Sequence, residues 1–198
     1  MPLLAVGAVG TFVVLAVGAF SASFDDDAGP ILPELTLQDP PSAVLGVAGY
    51  GTEQLAHACT ILIVGRDLGF GERDRTIAVM TAMGESSLRN LGYGDWETNG
   101  VTNPDGSRTT SIGLFQQQDN WGTREQRLDP YTAATLFYRA LSAKVPDREA
   151  LDPTQVAHRV QINADANHYA RYWDRAVRVV AALSSATPVD GVPPCALG

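Results

Sequence analysis

The sequence contains no His-Glu-x-x-His pair and no Cys-x-x-Cys pair, so its three histidines and two cysteines match neither common zinc pattern. It has no Gly-x-x-x-x-Gly-Lys loop to cradle a phosphate and no Gly-x-Ser-x-Gly elbow to carry a nucleophilic serine. Internal repeats and low-complexity tracts are absent. Positive charge is scarce: 14 Lys and Arg stand against 22 Asp and Glu, for a net charge of −8. Without a basic stripe to neutralise phosphates, a nucleic-acid partner is excluded. The same acidity gives no general pull toward an anionic polymer, so any substrate must be gripped by hydrogen bonds and stacking in a cleft. Neither a metal nor a cofactor is expected.

What is present divides the chain into four. Residues 3–20 are uncharged, and the uncharged run reaches Phe24 before three aspartates, Asp25 to Asp27. At ~1.5 Å per residue this run is just long enough to cross a bilayer core. A cleaved signal peptide, with Ser21-Ala22-Ser23 as its small-x-small site, and a retained membrane anchor both fit, and a buried soluble helix is a third reading. The first two place the rest of the chain outside the cytoplasm, although no Lys or Arg precedes the run to orient it. Residues 25–51, with four prolines, form a linker. Residues 52–183 form the domain, and 184–198 a tail.

Within the domain the expected fold class is all-α, with at most a small hairpin added. Thr52 and a nearby glutamine resemble a capping signal for a first helix carrying Leu55, Ala58, Ile61, Leu62 and Val64, ending at Leu68-Gly69. A second helix is predicted from Arg73 to about Asn90, with Ile77, Met80 and Met83 on an apolar face. Asp129-Pro130 opens another helix. A shorter helix follows over Pro153–Ile162, and the last runs from about His168 to Leu183. Between Asp95 and Ser111 the turn signals Asn99-Gly100 and Pro104-Asp105-Gly106 predict a hairpin or loop on one wall of a cleft. A calcium loop around Asn103–Asp105 would need EF-hand ligand spacing, which is missing. Cys59 and Cys195 fit two arrangements: one disulfide holding the tail to the first helix, or a buried free thiol and an unrelated tail thiol.

Glu85 sits near the end of the second, largely apolar helix. Desolvation there favours the neutral acid and raises its pKa. An acid still protonated near neutral pH is what a glycosidic leaving oxygen needs.

The segments around it carry a resemblance. Glu85-Ser86-Ser87-Leu88-Arg89-Asn90-Leu91, Tyr93-Gly94-Asp95, Ser111-Ile112-Gly113-Leu114-Phe115-Gln116-Gln117 and Trp121-Gly122-Thr123 occur in this order. Together they resemble the lysozyme-like superfamily of soluble lytic transglycosylases and goose-type lysozymes. The likeness is strongest to the lysozyme-like domains of actinobacterial cell-wall hydrolases, and it covers roughly residues 52–183. It implies a helical lysozyme-like fold, Glu85 as the catalytic acid, and peptidoglycan glycan strands as substrate. By the same likeness Ser86, Ser111, Gln116, Gln161, Asn163 and Tyr169 are substrate-binding candidates, with Tyr169 hydrogen-bonding near Glu85. Phe115 and Trp121 fit either core packing or sugar contact. The chain departs from the pattern in a longer segment before Ser111, in Thr110 where relatives often carry Asp, and in Asn163-Ala164-Asp165 for Asn-Ala-Gly.

The resemblance implies cleavage of the β-1,4 bond between N-acetylmuramic acid and N-acetylglucosamine. A one-acid transglycosylase needs only Glu85, whereas a hydrolase needs a second carboxylate, for which Asp95 and Asp105 are candidates. A non-catalytic wall-binding or assembly module of a conjugation or secretion apparatus is the alternative from another class.

Overall fold

In a computed structural model of the chain, the residues described are 46–163, 165–188, 194 and 195. The hydrophobic N-terminal segment and most of the linker lie outside them. Among the described residues the chain is helical and has no strand, only isolated antiparallel bridges. Seven α-helices run in order: α1 Thr52–Asp67, α2 Glu72–Ser86, α3 Asp95–Asn99, α4 Arg124–Leu128, α5 Pro130–Lys144, α6 Pro153–Gln161 and α7 Trp173–Leu183.

Helix α2 is the centre. Its residues from Ile77 to Met83 are all buried, so it is apolar on every side rather than along one stripe. A helix of that kind must be enclosed, and α1, α6 and α7 pack around it while α5 covers α1. Phe115 belongs to this core: it is fully buried and stacks on Phe137 with ring centroids 4.7 Å apart. The Tyr138 hydroxyl, also buried, donates to the Ile61 carbonyl at 3.1 Å. One buried ion pair joins α2 to the segment before α6, Asp74 to Arg148 at 2.9 Å.

Local chemistry sets the helix starts. Asp129 accepts from the Thr132 N–H at 2.8 Å with Pro130 at the first helical position, the arrangement its Asp-Pro pair predicts. At α1 the cap is Gly51 rather than Thr52, and Gln54 reaches back to the Gly51 N–H at 3.1 Å.

Several boundaries differ from expectation. The second helix ends at Ser86, not near Asn90, because Ser87 and Leu88 turn left-handed with φ of 54° and 60°. The buried Leu88 side chain and hydrogen bonds from α1 hold that turn: Gln54 donates to the Ser87 carbonyl at 2.6 Å, and His57 Nδ1 meets the Leu88 carbonyl at 2.8 Å. Residues 95–99, expected in a loop or hairpin, form the short helix α3. The hairpin itself shrinks to one bridge, Thr102 to Arg108, around a turn in which Asp105 accepts from the Ser107 N–H and hydroxyl. Helix α4 has no periodicity long enough to be foreseen. The last helix starts at Trp173, after a 3-10 turn at Ala170–Tyr172. Of the two cysteine arrangements the bridged one is observed: Cys59 of α1 is joined to Cys195, with Cα atoms 5.6 Å apart.

Candidate active site

Glu85 is the last residue but one of α2. Ser86 follows it: its buried hydroxyl donates to the Leu114 carbonyl at 2.8 Å, which ties the helix end to the Ser111–Gln116 segment. Gly84 supplies room. A Cβ there would lie 2.7 Å from the Tyr169 ring, so glycine lets that ring pack flat against the helix. Tyr169 is fully buried, and its hydroxyl donates to Glu85 Oε1.

Burial pushes the Glu85 carboxyl up to about 7, the Tyr169 hydrogen bond pulls it back in part, and the charge of Asp95 adds to the rise. Tyr169 itself is raised far above the usual phenol range, first by burial and then by Glu85, so it remains a donor. With Oε1 accepting that bond, the proton of the neutral acid belongs on Oε2.

Beside Glu85 lies a groove of about 680 Å³. Ser111, Gln116, Gln161 and Asn163 line it together with Glu85. A second hollow of about 300 Å³ is bordered by the same Glu85, Asp95, Gln116 and Asn163, with His168 and Asp165 beyond them. Glu85 therefore borders both hollows. The walls are amide-rich. Gln116 adopts φ of 45° and donates to the Gly113 carbonyl at 3.2 Å. Gly94 has no space for a side chain, because a Cβ would stand 2.3 Å from the Ser111 carbonyl and 2.7 Å from Gln116 Oε1. Gln161 donates to the Phe115 carbonyl at 2.8 Å, and Asn163 pairs with His158 at 2.7 Å.

Six of the seven candidates thus gather at one place: Glu85, Ser111, Gln116, Gln161 and Asn163 on the groove and Tyr169 behind the acid. Ser86 does not. It is buried, is not among the groove's lining residues, and its hydroxyl is spent on the Ala82 and Leu114 carbonyls. The two candidate second carboxylates also separate. Asp95, at the start of α3, lines both hollows, whereas exposed Asp105 is held below the usual carboxylate range by Ser107 in its own turn.

Some residues that shape the site went unmarked in the sequence. Arg127 is buried, and its guanidinium donates to the carbonyls of Thr110, Gln117 and Gly122, pinning the groove segment to α4. Nothing in a five-residue helix signals that. The three glutamines after Phe115 part ways: Gln116 and Gln118 line the groove, Gln118 donating to Asn103 at 3.0 Å, while Gln117 is buried against the Ala133 carbonyl at 3.0 Å. Ile162 lines the groove 74 % exposed and in a left-handed conformation. Trp121, for which the sequence left core packing and sugar contact both open, is partly buried, packs against the core and lines the groove as well.

Among the described residues no three His, Cys, Asp or Glu side chains cluster as a metal site. Compared with protein-family models and with curated proteins, the chain finds no match.

Proposed function

We propose that this protein is a lysozyme-like glycosidase of the bacterial cell wall, cleaving the β-1,4 bond between N-acetylmuramic acid and N-acetylglucosamine as a lytic transglycosylase. One observation carries the reading: a desolvated Glu85, neutral up to about pH 7 and fixed by Tyr169, on the wall of a sugar-sized groove. Glu85 first gives its proton to the glycosidic oxygen. The substrate's own acetamido group stabilises the charge at C1. Glu85 then takes the proton of the C6 hydroxyl, and a 1,6-anhydro ring closes. Ser111, Gln116, Gln161 and Asn163 supply hydroxyl and amide groups for the sugars, and Tyr169 orients the acid.

A hydrolase is the second reading, favoured by Asp95, which stands on the groove close enough to raise the Glu85 pKa. Product masses separate the two: 1,6-anhydro ends, lighter by one water, support the transglycosylase, and hydrated reducing ends support the hydrolase. The experiment that tests both is zymography of wild type against Glu85→Gln. Clearing by wild type alone is expected. Equal clearing by both removes Glu85 as the acid, and clearing by neither leaves a non-catalytic wall-binding or assembly module. Work outside the cytoplasm, with the N-terminal segment as signal or membrane anchor, accords with the Cys59–Cys195 bridge, since disulfides persist in oxidising compartments.

A further inference from the structure

The chain has a single lysine, Lys144, and it stands on the groove. In a chain with 22 acidic residues, an ammonium with no carboxylate near it is unusual. Among the described residues no Asp or Glu lies within ion-pair distance of Lys144 Nζ. Its position is nonetheless fixed. The ammonium donates to the Val160 carbonyl at 2.8 Å and rests over the Trp121 ring, 4.9 Å from its centroid. That leaves two N–H donors without a protein acceptor among the described residues. A further hollow of about 270 Å³ continues past the same pair, between Trp121, Asn120, Leu136 and Ala140. The groove is therefore polarised, with Glu85 and Asp95 as its lining acids and one unpaired cation on an aromatic surface.

A helix-dipole role alone accounts for a cation in the last turn of α5. It does not account for a cation braced against an indole on a ligand-sized groove, with donors to spare. Neutral sugar hydroxyls are served by the Gln and Asn side chains already described. An ammonium is matched to an anion.

We propose that Trp121 and Lys144 form a subsite for a carboxylate-bearing sugar, with Lys144 reading the carboxylate, so that the enzyme favours anionic over neutral N-acetylated glycans. The inference rests on the glycan reading of the groove and adds its selectivity. Within wall glycan a carboxylate has two sources: the free lactyl group of a muramic acid stripped of its peptide, or the carboxylates of an attached peptide.

Binding is measured by calorimetry on the full chain with three probes: a peptide-free GlcNAc-MurNAc tetrasaccharide, the same glycan carrying its peptides, and chitotetraose, which has no carboxylate. Wild type should prefer a carboxylated probe over chitotetraose by roughly three- to tenfold, the range of a part-exposed charge-assisted contact. Lys144→Gln should abolish that ratio and Lys144→Arg should keep it. Preference for the peptide-free glycan assigns the lactyl group, and preference for the peptide-bearing one assigns the peptide. Equal affinity for neutral and anionic probes in wild type, or a preference that survives in Lys144→Gln, overturns the subsite. Cleavage is scored separately. A Lys144-dependent preference without cleavage retains the subsite and defeats the proposed activity, cleavage without the preference does the reverse, and no binding of any probe defeats both.

Discussion

Glu85 should leave a mark on stability that needs no substrate to observe. Its carboxyl has a pKa of about 7 in the fold, against an ordinary value of 4.5. Between those values the folded protein binds a proton that the unfolded chain has released. Stability therefore falls as pH rises across this window. The sign is that of a raised group: the contribution is fully present below 4.5 and lost once the pH passes 7. A gap of about 2.5 units at ~1.36 kcal/mol each gives about 3 kcal/mol, or about 2 kcal/mol after allowing for groove water near the carboxyl. Glu85→Gln removes the titration while keeping an oxygen to accept from Tyr169. Urea unfolding of both proteins from pH 4 to 9 isolates it, because every other group cancels in the difference. The variant should gain about 2–3 kcal/mol relative to wild type between pH 4.5 and 7, with a plateau on either side. Parallel curves would show that the carboxyl is hydrated in the fold, and the reasoning that makes it an acid would fail with it.

Three further perturbations probe other parts of the structure. Tyr169→Phe removes a hydrogen bond that stabilises the carboxylate, so the alkaline limb of the pH–rate profile should move up by about one unit. An unmoved limb would mean that the hydroxyl does not control the acid. Ile162→Gly relieves a β-branched residue from a left-handed backbone and exposes little, so thermal unfolding should show it as stable as wild type or more so by about 1 kcal/mol, while wall-clearing activity drops. Reducing Cys59–Cys195 frees the tail, and loop-closure entropy over 136 residues sets a loss of about 2–5 kcal/mol, read from denaturant midpoints with and without reductant.

Where a short stretch of chain decides its own conformation, the sequence was a good guide. Asp129-Pro130 and Pro153 start helices because a proline needs no donor there, and at the first of them Asp129 also accepts what the first turn leaves unpaired. The apolar spacing from Ile77 to Met83 makes α2 a core helix and puts Glu85 at its end. The end itself was misjudged by four residues, because the left-handed turn at Ser87 and Leu88 is imposed by Gln54 and His57 from α1, more than thirty residues away. Ser86 lies off the groove for a related reason: polar residue types say nothing of which carbonyl lies overhead, and here it is that of Leu114.

The amino-acid order alone determined a helical domain and one acid at the close of an apolar helix, since periodicity and capping act between residues a few positions apart. The family likeness already pointed to Tyr169, 84 residues onward, beside that acid; only the tertiary structure decided that Gly84 makes room for its ring, and that the lone lysine stands on the same groove with no carboxylate among the described residues in ion-pair distance. Proton affinity and charge pairing depend on neighbours in space and on excluded water, and neither exists until the helices have packed.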